Sequence, residues 1–147
     1  MTAQSNVDKL ITIFGGSGFL GRHVVQALAK QRYRIRVAVR RPDLAGHLQP
    51  LGCVGQIHAV QANVLHPASV AAAVRGGDVV INLVGILFES GRQRFDSVHS
   101  FGAEAVALAA ASHNVRMIHV SAIGADERPS QAPSSMRATW NRMGAYA

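Results

Sequence analysis

Several residue types are scarce in this 147-residue chain, and each scarcity excludes a class of protein. Cys53 is the only cysteine, so no intrachain disulfide can staple the fold, and a reducing compartment fits. Its expected role is a small buried filler rather than a reactive thiol. Aromatic residues are only 5% of the chain and do not interleave with the basic ones, which disfavours single-stranded nucleic acid as a partner. No apolar run reaches the roughly 18 residues of a transmembrane helix. The opening "MTAQSNVDKL" has neither a basic n-region nor an uninterrupted apolar stretch, so no signal peptide is expected. The seven histidines are scattered, and none forms an H-x-x-x-H pair with a third ligand nearby, so no metal site is expected. No solenoid-type repeat is present. These exclusions leave a soluble cytoplasmic domain.

Hydrophobic residues make up 48% of the chain and charged ones 16%, a globular composition. Apolar runs alternate with helical spacing. Residues 9–14 (KLITIF) read as a buried strand, followed by a helix over 19–31 with Leu20, Val24, Ala27 and Leu28 on one face. Residues 34–40 (RIRVAVR) alternate as a second strand, with a short helix at 43–49. A third strand lies within 55–64. Pro67 then opens a helix that Gly76 can end. The near-continuous apolar run at 78–86 (DVVINLVGI) suits a central parallel strand covered on both faces. An alanine-rich helix follows over 95–113, with Asn114 as a left-handed C-cap, and residues 115–122 form the fifth strand. Such alternation predicts a doubly wound α/β fold of Rossmann type, with strand order 3-2-1-4-5. Residues 1–126 make the domain. Residues 127–147 are polar, weakly patterned and read as an irregular tail.

The formal net charge is +7, and seven basic residues (Arg22, Lys30, Arg32, Arg34, Arg36, Arg40, Arg41) lie in residues 22–41 without an acidic one. That run is either a solvated basic face or an anion site for nucleotide phosphate, nucleic acid or acidic lipid headgroups.

Four glycines fall in the seven residues 15–21, where the first strand ends and a helix begins. Backbone N–H groups and a helix N-terminus there attract an anion, and bare backbone lets a pyrophosphate approach. The last glycine lets helix and strand pack closely. Two frames overlay, Gly16-x-Gly18-x-x-Gly21 and Gly15-x-x-Gly18-x-x-Gly21. The Gly-Lys-Ser/Thr ending of a triphosphate loop is absent. After the second strand, where an NAD site wants an acid for the ribose 2′-hydroxyl, the chain reads Val39-Arg40-Arg41. A guanidinium pairs with a 2′-phosphate, so NADP(H) is favoured over NAD(H). Asp43, the nearest acid, is expected to cap the following short helix.

"GGSGFLG", "QANV", "INLVGIL" and "HVSAIGAD" together resemble an atypical short-chain dehydrogenase/reductase, most like the Rossmann-fold accessory subunit of respiratory complex I and its bacterial relatives. The resemblance implies that Gly15, Ser17, Gly18, Phe19, Leu20 and Gly21 wrap the pyrophosphate and that Arg40 faces the 2′-phosphate. It implies Asn63 and Val64 against adenine, and Leu83, Val84 and Gly85 on the path toward ribose and nicotinamide. Enzymes of the family use a Tyr-x-x-x-Lys pair, which is absent: Tyr33 has Val37 at that spacing, and Tyr146 is the penultimate residue. Ser121 stands near the family's serine position, and His99 could point toward the nicotinamide end. His119 reads as a hydrogen-bonded core residue.

The family implies a sixth strand and a substrate-binding portion that are lacking here, which would leave strand five as a sheet edge for the tail or a partner to cover. The expectation is therefore an NADP(H)-binding module without turnover by itself, seated on a respiratory-complex or other protein partner, peripheral to an inner membrane through it. The alternatives are a reductase or epimerase remnant needing a partner, and a nucleotide-sensing interaction module. Nucleic-acid binding is the least favoured.

Overall fold

The computed structural model describes residues 5–84 and 101–120. A short 3-10 turn, Asn6–Asp8, leads into β1 (Leu10–Phe14), and α1 (Phe19–Lys30) follows the glycine-rich turn. Then come β2 (Arg34–Val39), a 3-10 segment Pro42–Leu51, β3 (Ile57–Gln61), α2 (Pro67–Val74), β4 (Val79–Asn82), α3 (Gly102–Ser112) and β5 (Arg116–His119). All four strand pairings are parallel, and the order is β3-β2-β1-β4-β5, as the alternation of elements predicts.

Side-chain alternation explains the two layers. In β1, Ile11 and Ile13 pack with Ile35, Val37 and Val39 of β2, Ile57 of β3 and Ile81 of β4, beneath Val25 and Ala29 of α1 and Leu48 of the 3-10 segment. On the opposite face Phe14, Ala38 and Val80 meet Val70, Ala73 and Val74 of α2 and Val106, Ala109 and Ala110 of α3. Successive strand residues point to opposite faces, so an apolar run with no polar alternation fills both cores at once. The alanines of α3 let it lie close to the sheet and to α2. Each fully buried Val, Ile or Phe contributes about 1.5–3 kcal/mol.

Helix ends follow their local chemistry. Asn114 and Gly76 take positive φ, 52° and 72°, where α3 and α2 stop, as expected of both. Arg32 does the same after α1 at φ 65° with no glycine to ease it. The C-terminus of α2 is tied down by Arg36 of β2, whose Nη1 donates to the carbonyls of Ala73 (2.6 Å) and Arg75 (2.9 Å). Arg36 is therefore a structural cation, not part of an anion-binding face.

Three expectations are corrected. The buried stripe of α1 is Gly21, Val25 and Ala29, with Val24 and Leu28 half-buried beside it, whereas Ala27 is exposed and Leu20 projects outward. The glycine-rich turn rotates the helix so that Gly21, not Leu20, faces the strand. Cys53 is exposed, because it lies in the turn that precedes β3 rather than on a strand. Asp43 makes no cap: the N-cap position is Arg41, and Asp43 sits one residue inside the segment, paired with the Arg41 guanidinium at 2.7 Å.

β4 ends at Asn82, whose Oδ1 accepts the N–H of Val84 at 3.1 Å. Of the helix expected over 95–113, the segment before Phe101 lies outside the described residues, as do Gly85, His99, Ser121 and the tail 127–147.

Candidate functional site

The site begins where β1 ends. Gly15 has φ +79°, a left-handed conformation that L side chains rarely adopt, and a Cβ there would meet the backbone of Leu83 and Val84 at 3.0–3.1 Å. The turn is closed by Gly18 N–H donating to the Gly15 carbonyl at 3.1 Å. Gly21 is the tightest position: a Cβ would stand 2.2 Å from the Gly15 carbonyl oxygen. A Cβ on Gly18 would meet only that same oxygen at 3.3 Å, because its other side is open. The glycines therefore divide by role. Gly15 and Gly21 are required by the fold of the turn, and Gly18 keeps an outer surface bare.

That bare surface is the start of α1. Gly18 is the N-cap, with no side-chain cap hydrogen bond, and the first turn contains no acidic residue. The first amides of any helix lack intrahelical acceptors, so the positive end of α1 is left for an anion. Ser17, Phe19 and Leu20 are exposed around it. Phe19 is held by the Arg22 guanidinium, 5.3 Å from its ring centroid, and by His23 edge-on at 5.4 Å.

The other expected site residues collect at the same end of the sheet. Leu83 and Val84, half-buried, leave β4 directly beside Gly15, with Leu83 N–H bonded to the Phe14 carbonyl at 2.9 Å. Arg40 is exposed immediately after β2. Asn63 follows β3 in a tight turn in which its Oδ1 accepts from Leu65 N–H at 3.0 Å and Ser69 Oγ bonds its main chain. Val64 is buried, packed into the core under α2 and α3. Parallel strands place all these carboxyl ends on one edge, and the crevice between the outgoing chains of β1 and β4 is where such sheets bind ligands.

One residue escaped the reading of the sequence. Asn82 is buried at 1% exposure, and its side chain bridges the turn at Val84 and the half-buried His119 of β5, with Nδ2 and His119 Nδ1 3.2 Å apart. A lone polar residue in the apolar run VVINLVG was its signal. The expected hydrogen bond of His119 is thus present, between β4 and β5.

The chain resembles proteins of known name over most of its own length. It is 36% identical over 116 residues to the mitochondrial NADH-ubiquinone oxidoreductase 40 kDa subunit of Neurospora crassa, covering 78% of this chain and 31% of that protein. It is 33% identical over 118 residues to a ceramide reductase of Caulobacter vibrioides, covering 80% and 36% respectively. The chain thus spans about a third of the length of these relatives. Among solved structures, a short chain dehydrogenase from Bacillus anthracis superposes with a TM-score of 0.75 at 17% identity, over 97% of this chain and 65% of that one, which shows the fold. A uronate dehydrogenase from Agrobacterium tumefaciens, solved in complex with NAD, superposes with a TM-score of 0.62 at 26% identity, over 77% and 40%. Residues 15–147 match the family described as NAD(P)H-binding, and the chain belongs to that family.

Proposed function

We propose that this chain is an NADP(H)-binding module of the complex I accessory type, which performs no turnover by itself. The observation that carries the reading is the uncapped N-terminus of α1, bared by Gly18 and overlooked by the chain leaving β4. In this reading the pyrophosphate lies along Gly15, Ser17, Gly18, Phe19, Leu20 and Gly21. Leu83, Val84 and Gly85 border the ribose and nicotinamide, and Asn63 and Val64 border the adenine. Arg40 carries the choice of cofactor: at the carboxyl end of β2 it offers a 2′-phosphate a charge-assisted pair and offers a bare 2′-hydroxyl no acceptor. Among these 147 residues no Tyr-x-x-x-Lys pair occurs to supply an acid and base. The likeness to complex I subunits supports a protein partner and a peripheral place on a respiratory membrane. β5 is the outer strand of the sheet among the described residues, and such a partner would cover the exposed Ile118 on it and Val120 just after it.

Titration calorimetry tests the cofactor assignment. Arg40→Ala is expected to weaken NADPH roughly ten- to a hundredfold, the loss of a hydrogen-bonded ion pair, and to leave NADH nearly unchanged. Equal losses for both nucleotides would remove the 2′-phosphate role.

The second reading, a reductase, is favoured by the 33% identity to ceramide reductase. Oxidation of NADPH by this chain alone in the presence of a carbonyl or quinone would establish it in place of the first.

A further inference from the structure

The seven basic residues of the 22–41 stretch are not one face. The chain runs down α1 and back up β2, so Arg22, Arg40 and Arg41 lie at the nucleotide end of the sheet. Lys30, Arg32 and Arg34 lie at the other end, about 20 Å away at ~3.3 Å per strand residue. Elsewhere in the stretch, Arg41 is paired with Asp43, Arg22 is stacked on Phe19 and Arg36 is bonded to α2. By contrast, the charged heads of Lys30, Arg32 and Arg34 have no ion-pair or hydrogen-bond partner among the described residues.

These three line an open groove of about 710 Å3, together with Val7, Leu51, Cys53, Val54 and Gln56, and no acidic residue is among its lining. Helix capping does not account for the cations. The end of α1 is met by neutral donors: Gln56 Nε2 bonds the α1 carbonyl of Ala29 and, beyond the helix, Tyr33 O, both at 2.9 Å, and Asn6 Nδ2 bonds the carbonyl of the C-cap Gln31 at 3.0 Å. Gln56 Oε1 also accepts the Cys53 N–H at 2.9 Å, so one side chain fixes the 52–56 turn against the helix end. At the tip of that turn Val54 is fully exposed, and Val7 is exposed beside it.

We infer that this end of the sheet docks on the surface of an anionic lipid bilayer, with Lys30, Arg32 and Arg34 against the headgroup phosphates and Val54 entering the acyl boundary. Aliphatic tips beside unpaired cations suit a lipid interface, and the absence of an aromatic residue in the lining leaves no stacking platform for nucleic-acid bases. No helix among the described residues is long and apolar enough to cross a membrane. The lipid contact requires no nucleotide, and it adds a direct lipid contact to the membrane-peripheral place of the proposed function.

The test is co-sedimentation of the full chain with vesicles of phosphatidylcholine, alone or mixed with phosphatidylglycerol. Binding is expected only to the mixed vesicles and is expected to fall with salt. The variant Lys30→Gln/Arg32→Gln/Arg34→Gln should lower partitioning on the order of a hundredfold, at about one order of magnitude for each 1.4 kcal/mol and ~1 kcal/mol for each cation. Val54→Asp should lower it roughly tenfold. A polarity-sensitive fluorophore on Cys53, the single thiol, should shift its emission on the mixed vesicles and so report this face even if the triple variant fails to fold. Equal binding to neutral vesicles, an unaltered triple variant, or a silent Cys53 probe on sedimented protein would overturn the inference. So would retention by duplex DNA or an acidic polypeptide with no binding to vesicles.

Discussion

Gly21 and Gly18 differ in what surrounds them, and the difference separates stability from binding. A methyl on Gly21 would drive into the Gly15 carbonyl at 2.2 Å, and backbone cannot yield as a side-chain tip can. Gly21→Ala is expected to destabilise the chain by about 3 kcal/mol or more, read from denaturant midpoints. A methyl on Gly18 meets its nearest atom at 3.3 Å and otherwise faces open space. Gly18→Ala should change stability by no more than about 1 kcal/mol. It should nevertheless weaken either dinucleotide at least about tenfold, because the methyl occupies the approach to the first amides of α1. A Gly18→Ala variant that unfolds while Gly21→Ala stays folded would reverse these assignments.

At the scale of elements, Arg36 ties β2 to the end of α2. Its guanidinium holds two carbonyls from a half-buried position, and Thr12 Oγ1 shares the Ala73 carbonyl at 3.3 Å. Arg36→Leu should cost about 1.5–3 kcal/mol, the range for hydrogen bonds to charged groups, and thermal unfolding of the variant checks it. A neutral result would make Arg36 no more than a surface cation. Arg32→Gly should go the other way, by up to about 1 kcal/mol, by relieving a positive φ at the end of α1. The strands and their order were legible in the sequence because apolar runs such as VVINLV admit few alternatives once helices separate them. Three features were not. The stripe of α1 depends on how the glycine-rich turn rotates the helix. Cys53 sits in a turn whose exposure no periodicity encodes. The arginine-rich stretch reads as one patch, yet an antiparallel helix–strand passage carries it to both ends of the sheet.

For the whole molecule, the two ends of the sheet carry different sets of residues. Strand carboxyl ends gather the glycine turn, Arg40, Asn63 and the Leu83–Val84 segment, and the opposite end presents Lys30, Arg32 and Arg34, without an ion-pair partner among the described residues, around a groove. The placement of the described candidate residues after the strand carboxyl ends was legible from local sequence, since βα turns mark where a parallel sheet opens. Their supporting contacts, above all Asn82 with His119, were not, because they join positions 37 residues apart. The central claim is that the crevice holds a dinucleotide and selects its 2′-phosphate. Thermal unfolding of the chain with NADPH or NADH tests it most directly. At a nucleotide concentration of about a hundred times Kd, binding adds about 2.7 kcal/mol, which raises Tm by several degrees. The expected result is that rise with NADPH and a clearly smaller one with NADH. An unmoved midpoint with both nucleotides would contradict the claim.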